Sequence, residues 1–123
     1  MKIQESAENY LETILILSKD GNLVRSIDIA KELTFTKPSV SVAMKNLKED
    51  GYILIDSKGF ISLSTKGYEI AKDVYEKHLL FSNWLINLGV DKKTAQSDAC
   101  KMEHTMSAKS FKAIKKFIEK SNL

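Results

Sequence analysis

The chain has 123 residues, 43% of them apolar and 28% charged, with a formal net charge of +3. That length suits one compact domain or two small lobes, and that composition is too apolar for disorder. The longest apolar runs, Ile14 to Leu17 and Tyr52 to Ile55, exclude a span of ~20 residues across a bilayer, and the single cysteine, Cys100, excludes an internal disulfide framework.

A first helix is predicted over 7–19, with Ser6 as its cap. Ala7, Tyr10, Leu11, Ile14, Leu15 and Leu17 repeat at spacings of three and four, as a buried stripe does. A short second helix is predicted over 26–33, then a turn at Thr34-Phe35-Thr36. A third helix covers 37–50, capped by Thr36, with Pro38 tolerated in its first turn. Val40, Met44 and Leu47 face inward on that helix, while Ser39, Ser41, Val42 and Lys45 face out. Tyr52-Ile53-Leu54-Ile55 and Phe60-Ile61-Ser62-Leu63 read as strands around the turn signal Asp56-Ser57-Lys58-Gly59. Two helices on a tight turn, followed by a hairpin, make a winged helix-turn-helix over residues 1–64. Gly67, near the start of the next helix, has no turn role in this pattern.

After Thr65 the pattern is helical only, giving a helical lobe over 65–123, so the fold class is mainly α with one small β-hairpin. A long helix is predicted over 66–88. Its Ile70, Val74, Tyr75, Leu79, Phe81, Trp84, Leu85, Ile86 and Leu88 are apolar on more than one side, as expected of a helix covered by its own chain and by a second copy. Further helices are predicted over 91–106 and 107–121. In the last, Phe111, Ile114, Phe117 and Ile118 form the apolar stripe, and Lys109, Lys112, Lys115, Lys116 and Lys120 are solvated. Residues 1–64 carry eight basic and nine acidic side chains, so a nucleic-acid contact there needs a local patch. No basic-then-apolar leader stands at residues 1–6, and a cytoplasmic protein is expected.

Cys100, Glu103 and His104 stand at i, i+3 and i+4 on the predicted fifth helix, so they share one face. Thiolate, carboxylate and imidazole together suit a borderline divalent transition metal. The alternative is a buried cysteine beside a surface Glu and His. Asn9 and Glu12 share a face of the first helix and are candidates to complete the coordination, as is His78 in the long helix. Such an ion would tie the DNA-reading half to the helical half, which is regulatory geometry and not catalytic geometry.

The segment Asp98-Ala99-Cys100-Lys101-Met102-Glu103-His104-Thr105-Met106-Ser107 resembles the metal-binding helix of the diphtheria-toxin-repressor family, the iron- and manganese-dependent repressors. Asn9-Tyr10-Leu11-Glu12-Thr13-Ile14 resembles that family's first helix. Thr36-Lys37-Pro38-Ser39-Val40-Ser41 is similar to the start of its recognition helix, and Leu63-Ser64-Thr65-Lys66-Gly67 to its post-wing segment. The resemblance implies a homodimer that binds a double-stranded DNA operator when metal is present and represses metal-uptake genes. It also implies the short form of the family, without an SH3-like third domain. Cys100, Glu103 and His104 match the iron branch; Glu12 and His78 match ligand positions of the manganese branch, which has a carboxylate where Cys100 stands. Asn9 replaces a methionine in one branch and an aspartate in the other. Where the iron branch's ancillary site has acidic and histidine donors, this chain has Ser82 and Gln96. The soft sulfur of Cys100 favours Fe(II), with Mn(II), Co(II), Ni(II) and Zn(II) as the other candidates.

On the DNA side, Thr36, Lys37, Pro38, Ser39, Ser41, Val42 and Lys45 line the expected reading face, with Ser hydroxyls and lysines for phosphates and Val42 for a thymine methyl. Arg25 and Lys58 are the expected backbone anchors. Neither a membrane nor a small-molecule substrate is expected as partner. One rival is a winged-helix regulator that answers to a non-metal ligand or a partner protein. An enzyme with Cys100 as nucleophile lacks an oxyanion-hole loop and a glycine-rich phosphate cradle, so no catalytic residue is assigned.

Overall fold

The computed structural model describes residues 5–121. The leader expectation at residues 1–6 therefore falls mostly outside the described residues. Packing separates two compact units, one up to Lys72 and one from Asp73 onward. No helix among the described residues is long and apolar enough to cross a membrane.

The first unit holds helices α1 (Glu5–Leu17), α2 (Ser26–Leu33) and α3 (Lys37–Glu49), strands β1 (Ile53–Ile55) and β2 (Ile61–Leu63), and the start of α4 (Thr65–Asn87). Ser6 lies inside the first turn of α1 and is not its cap, since the helix is already under way at Glu5. A 3-10 turn over Lys19–Gly21, absent from the periodicity, links α1 to the extended segment before α2. α1 packs on α2 and β2, and α3 packs on α2 and β1. Their shared core is Leu11, Ile14, Ile29, Val40, Met44, Leu47, Ile53 and Ile61, all buried. Val40, Met44 and Leu47 face inward as their spacing predicts. Truncating one such side chain, Met44→Ala for example, removes ~2–5 kcal/mol in general.

The turn between α2 and α3 is made without glycine. Thr34 takes a left-handed conformation at φ 55°, and the Phe35 amide donates to the Ala30 carbonyl at 3.0 Å. Thr36 then caps α3 by accepting the Ser39 amide at 3.3 Å. At the other end of α3, Gly51 (φ 83°) lets the Gly51 and Tyr52 amides reach back to the Lys48 and Leu47 carbonyls. That closes the last turn and throws the chain into β1. β1 and β2 are antiparallel, with Ile53 opposite Leu63 and Ile55 opposite Ile61. Tyr52 and Phe60 flank the strands instead of joining them. A third partner was not legible in the pattern: Val24 bridges Ile61, and the Ile61 amide donates to the Val24 carbonyl at 2.7 Å.

Gly67 now has a reason. The Ser64 hydroxyl caps α4 by accepting the Gly67 amide at 3.1 Å, and it donates to the Gly51 carbonyl at 2.7 Å. This double use draws the first turn of α4 onto the segment 50–52. A Cβ on Gly67 would overlap the Tyr52 carbonyl oxygen, which is backbone and cannot swing away.

The second unit holds the remainder of α4, then α5 (Lys92–Met102) and α6 (Ala108–Lys120). Asp91 caps α5 by accepting the Thr94 amide at 3.0 Å, and this bond holds its carboxyl below the usual range. Ser107 caps α6 in the same way. Phe81, Ala99 and Phe111 form the core, with Trp84, Met102 and Ile114 around them. Phe81 and Phe111 meet edge to face at 5.8 Å. Two sequence expectations for α6 need correction. Phe117 is 63% exposed and stands outside the apolar stripe, which is Phe111, Ile114 and Ile118. Lys115 is solvated but not unpaired: it donates to Glu76 Oε1 on α4 at 2.6 Å, and that carboxylate raises its pKa. A raised pKa means the pair stabilises the fold below pH 10.5, the lysine's ordinary value, and loses that contribution as pH climbs through the raised value.

Gly67→Ala is expected to destabilise the first unit by about 1–3 kcal/mol, the usual range for a forced backbone shift. Chemical denaturation would check it; an unchanged midpoint would show that the α4 start is not pinned on Tyr52.

Candidate metal centre and nucleic-acid interface

α5 ends at Met102, four residues before the predicted limit. Both the amide and the hydroxyl of Thr105 bond the Met102 carbonyl, at 3.2 and 3.1 Å, which closes a turn in place of a further helical one. Glu103 is therefore the C-cap residue and His104 lies in the turn beyond it. The expectation of three donors on one helical face is corrected on this point: only Cys100 stands within α5, and it is exposed.

The turn gathers donors differently. Glu103 is 1% exposed overall, and its side chain is completely buried. His78 on α4 places Nδ1 3.1 Å from Glu103 Oε2. His104, with its side chain 1% exposed, places Nε2 3.2 Å from Oε1. One carboxylate thus lies between two imidazoles. The His104 contact is close but not directed for hydrogen bonding, so Oε1 is a buried acceptor with no hydrogen-bond donor. Leaving a carboxylate oxygen so placed costs on the order of 1–3 kcal/mol or more. Buried anions are found paired with protonated groups or coordinated to metals.

The residues fit a metal ion on two counts. First, the orphaned oxygen needs a positive partner, and carboxylate with imidazole is an established donor pair for first-row divalent ions. Second, His78 Nδ1 and Glu103 Oε2, 3.1 Å apart at hydrogen-bond distance, are close enough together to share one ion. Glu12 is also buried, at 7%, within a run of four buried positions on α1, and Asn9 one turn earlier is half-buried. Among the described residues, no group of three donor atoms within 4.8 Å of one another contains Cys100 or His104.

The expected DNA contacts all belong to the first unit and all are exposed. Lys37, Pro38, Ser39, Ser41 and Lys45 project from the first half and middle of α3, and Val42 is 60% exposed on the same helix. Thr36 and Ser39 are less available than their exposure suggests, because Thr36 Oγ1 donates to Ser39 Oγ at 2.8 Å. Lys58 sits at the wing tip. There the Asp56 carboxylate accepts the Lys58 and Phe60 amides, each at 2.9 Å, and fixes the turn. Arg25 precedes α2, its amide bonded to Asp28 at 2.8 Å, and its guanidinium lies over the Phe60 ring at 4.4 Å. Phe60 was expected only as a strand residue, not as the partner of Arg25. The Val24–Ile61 bridge is the feature that pairs it with Arg25, and alternation on either side of residues 24 and 61 is the only signal for it.

The comparisons with known proteins agree with this layout. Residues 2–59 match the family model described as "Iron dependent repressor, N-terminal DNA binding domain". Residues 64–122 match "Iron dependent repressor, metal binding and dimerisation domain". The chain is 35% identical over 120 residues to an uncharacterized HTH-type transcriptional regulator of Methanocaldococcus jannaschii, covering 96% of either chain. It is 31% identical over 118 residues to the transcriptional regulator MntR of Escherichia coli, covering 95% of this chain and 76% of that one. Among solved structures it resembles the manganese regulator SloR, with a TM-score of 0.82 and 28% identity over 97% of this chain. It spans about half of that structure's length, 55%. By these matches the chain belongs to the iron-dependent repressor family, with a DNA-binding part followed by a metal-binding and dimerisation part.

Proposed function

We propose that this protein is a metal-activated repressor of metal-homeostasis genes, acting as a homodimer on a double-stranded DNA operator by binding and not by catalysis. The observation that carries the reading is the buried Glu103 carboxylate, flanked by His78 and His104 and short of a donor. On this reading His78 and Glu103 hold the ion, with Glu12, Asn9, Cys100 and His104 as further donors. A bound divalent ion supplies the positive charge that the buried carboxylate lacks and a common centre for donors from several helices. Glu12 and Asn9 stand on α1, in the DNA-reading part over 1–64, and the other donors in the part over 65–123. Donors from both parts on one ion restrict how the reading heads are presented, a shift among conformations that already exist. A hundredfold gain in operator affinity needs only about 2.7 kcal/mol of such coupling.

The N-terminal half of α3 enters the major groove, and Lys37 and Lys45 meet phosphates. Two copies must set their α3 helices ~34 Å apart to read half-sites one helical turn apart. Leu79, Ile86, Leu88 and Phe117 are exposed apolar side chains of the second unit, in keeping with a second copy there. Fe(II) is the proposed ion, on the softness of the Cys100 sulfur. The exposure of Cys100 favours Mn(II) as the second reading, since carboxylate and imidazole alone serve that harder ion.

Titration of the metal-free dimer with Fe(II), Mn(II) and Co(II) under anaerobic conditions, followed by operator gel shifts, tests this. Glu103→Ala and His104→Ala are expected to lose metal-dependent operator binding while remaining folded dimers. Cys100→Ala loses it if Fe(II) is the ion and keeps it if Mn(II) is. An unaltered metal response in both Glu103→Ala and His104→Ala would overturn the site. Separately, Lys37→Ala and Lys45→Ala should weaken binding to all sequences alike, and each should lower the salt slope by about 1. A slope equal to wild type would remove that lysine from the interface.

A further inference from the structure

The wing carries an aromatic side chain, Phe60, that is not among the expected DNA contacts. Val24 and Ile61 form an isolated antiparallel bridge, closed by the 2.7 Å bond from the Ile61 amide to the Val24 carbonyl. In an antiparallel pair the next residues outward stand opposite each other, so Arg25 faces Phe60. The structure agrees: the Arg25 guanidinium carbon sits 4.4 Å from the centre of the Phe60 ring. Phe60 is itself fixed from below, because its amide donates to the Asp56 carboxylate at 2.9 Å and its carbonyl accepts the Asp56 amide at 3.0 Å. Arg25 is exposed and Phe60 half-buried, so the ring is a floor and the guanidinium the part turned to solvent.

We infer that Phe60 is a positioning residue for DNA binding: it holds the Arg25 guanidinium flat, with its N–H edges presented to a backbone phosphate. This rests on the DNA-binding reading above, in which Arg25 is a phosphate anchor. An arginine on a flexible stem loses side-chain freedom when it docks on a phosphate. A guanidinium already stacked has lost much of that freedom in the free protein, and its planar fork still offers N–H donors at the rim. The same bridge ties the wing to the residue ahead of α2. Arg25 and the wing-tip Lys58 therefore belong to one braced surface and not to two independent loops.

The test measures affinity of the full chain, with saturating Mn(II), for a random-sequence DNA duplex across a salt series. Arg25→Gln should weaken binding and lower the salt slope by about 1. Phe60→Leu, which removes the ring but keeps an apolar side chain, should weaken binding about 2- to 5-fold, as loss of an exposed cation–π contact does. Phe60→Tyr should restore it, and Phe60→Leu should add nothing in the Arg25→Gln background. An Arg25→Gln variant with wild-type affinity and slope would sink the phosphate assignment beneath the inference. If Arg25→Gln is weakened while Phe60→Leu is not, the positioning role alone fails. It also fails if Phe60→Leu costs as much without Arg25 as with it, because the ring would then act through the fold.

Discussion

The buried carboxylate of Glu103 is the constraint around which the second unit is arranged. Desolvating an ionised carboxylate costs several kcal/mol unless it is paired and fully hydrogen-bonded. Here one oxygen has the His78 imidazole at 3.1 Å and the other has the His104 ring at 3.2 Å without a directed hydrogen bond. A protein that only needed stability would have filled this position with an apolar side chain of similar volume. The neighbouring architecture holds the arrangement in place. Asp91 starts α5, Thr105 stops it, and Ser107 starts α6, so that Glu103 and His104 fall in the one turn between the two helices. The Phe81–Phe111 contact and the Lys115–Glu76 pair bind α6 to α4, which carries His78.

Most of the architecture was legible because it rests on local rules. Apolar spacing gave the helices and the inward faces of α3, and the turn chemistry of Asp56 to Gly59 gave the hairpin. The closeness of Glu103 to His104 was expected from helical spacing, but the structure brings it about in another way. Helical spacing alone put Cys100, Glu103 and His104 on one face. The hydroxyl of Thr105 decides otherwise, through a bond to Met102 that competes with the next helical turn. Side chain to backbone competition of this kind leaves no periodic signal. The same holds for Lys115, whose partner Glu76 lies on another helix, and for Gly67, whose small size matters only because Tyr52 passes against it.

The first unit shows how a small core can present one face of α3 rigidly. α3 is held by buried Val40, Met44 and Leu47 on one side, leaving its opposite side exposed. Its start is set by a Thr34 in a left-handed conformation and a Thr36 cap, and its end by Gly51. Neither end relies on DNA to take shape. The wing is braced from two directions, by β1 and by Val24, which limits how far its tip can move against α2. On the proposed reading, what remains adjustable is the presentation of two preformed heads, and that is the quantity an ion shared between the two parts of the chain would regulate.

The most direct measurement is X-ray absorption at the metal edge of the Co(II)-loaded protein. The account predicts carboxylate oxygen in the first shell and the outer-shell scattering of an imidazole ring. A first shell of water oxygens without imidazole scattering would contradict it, because the ion would then be bound somewhere other than at Glu103 and His78.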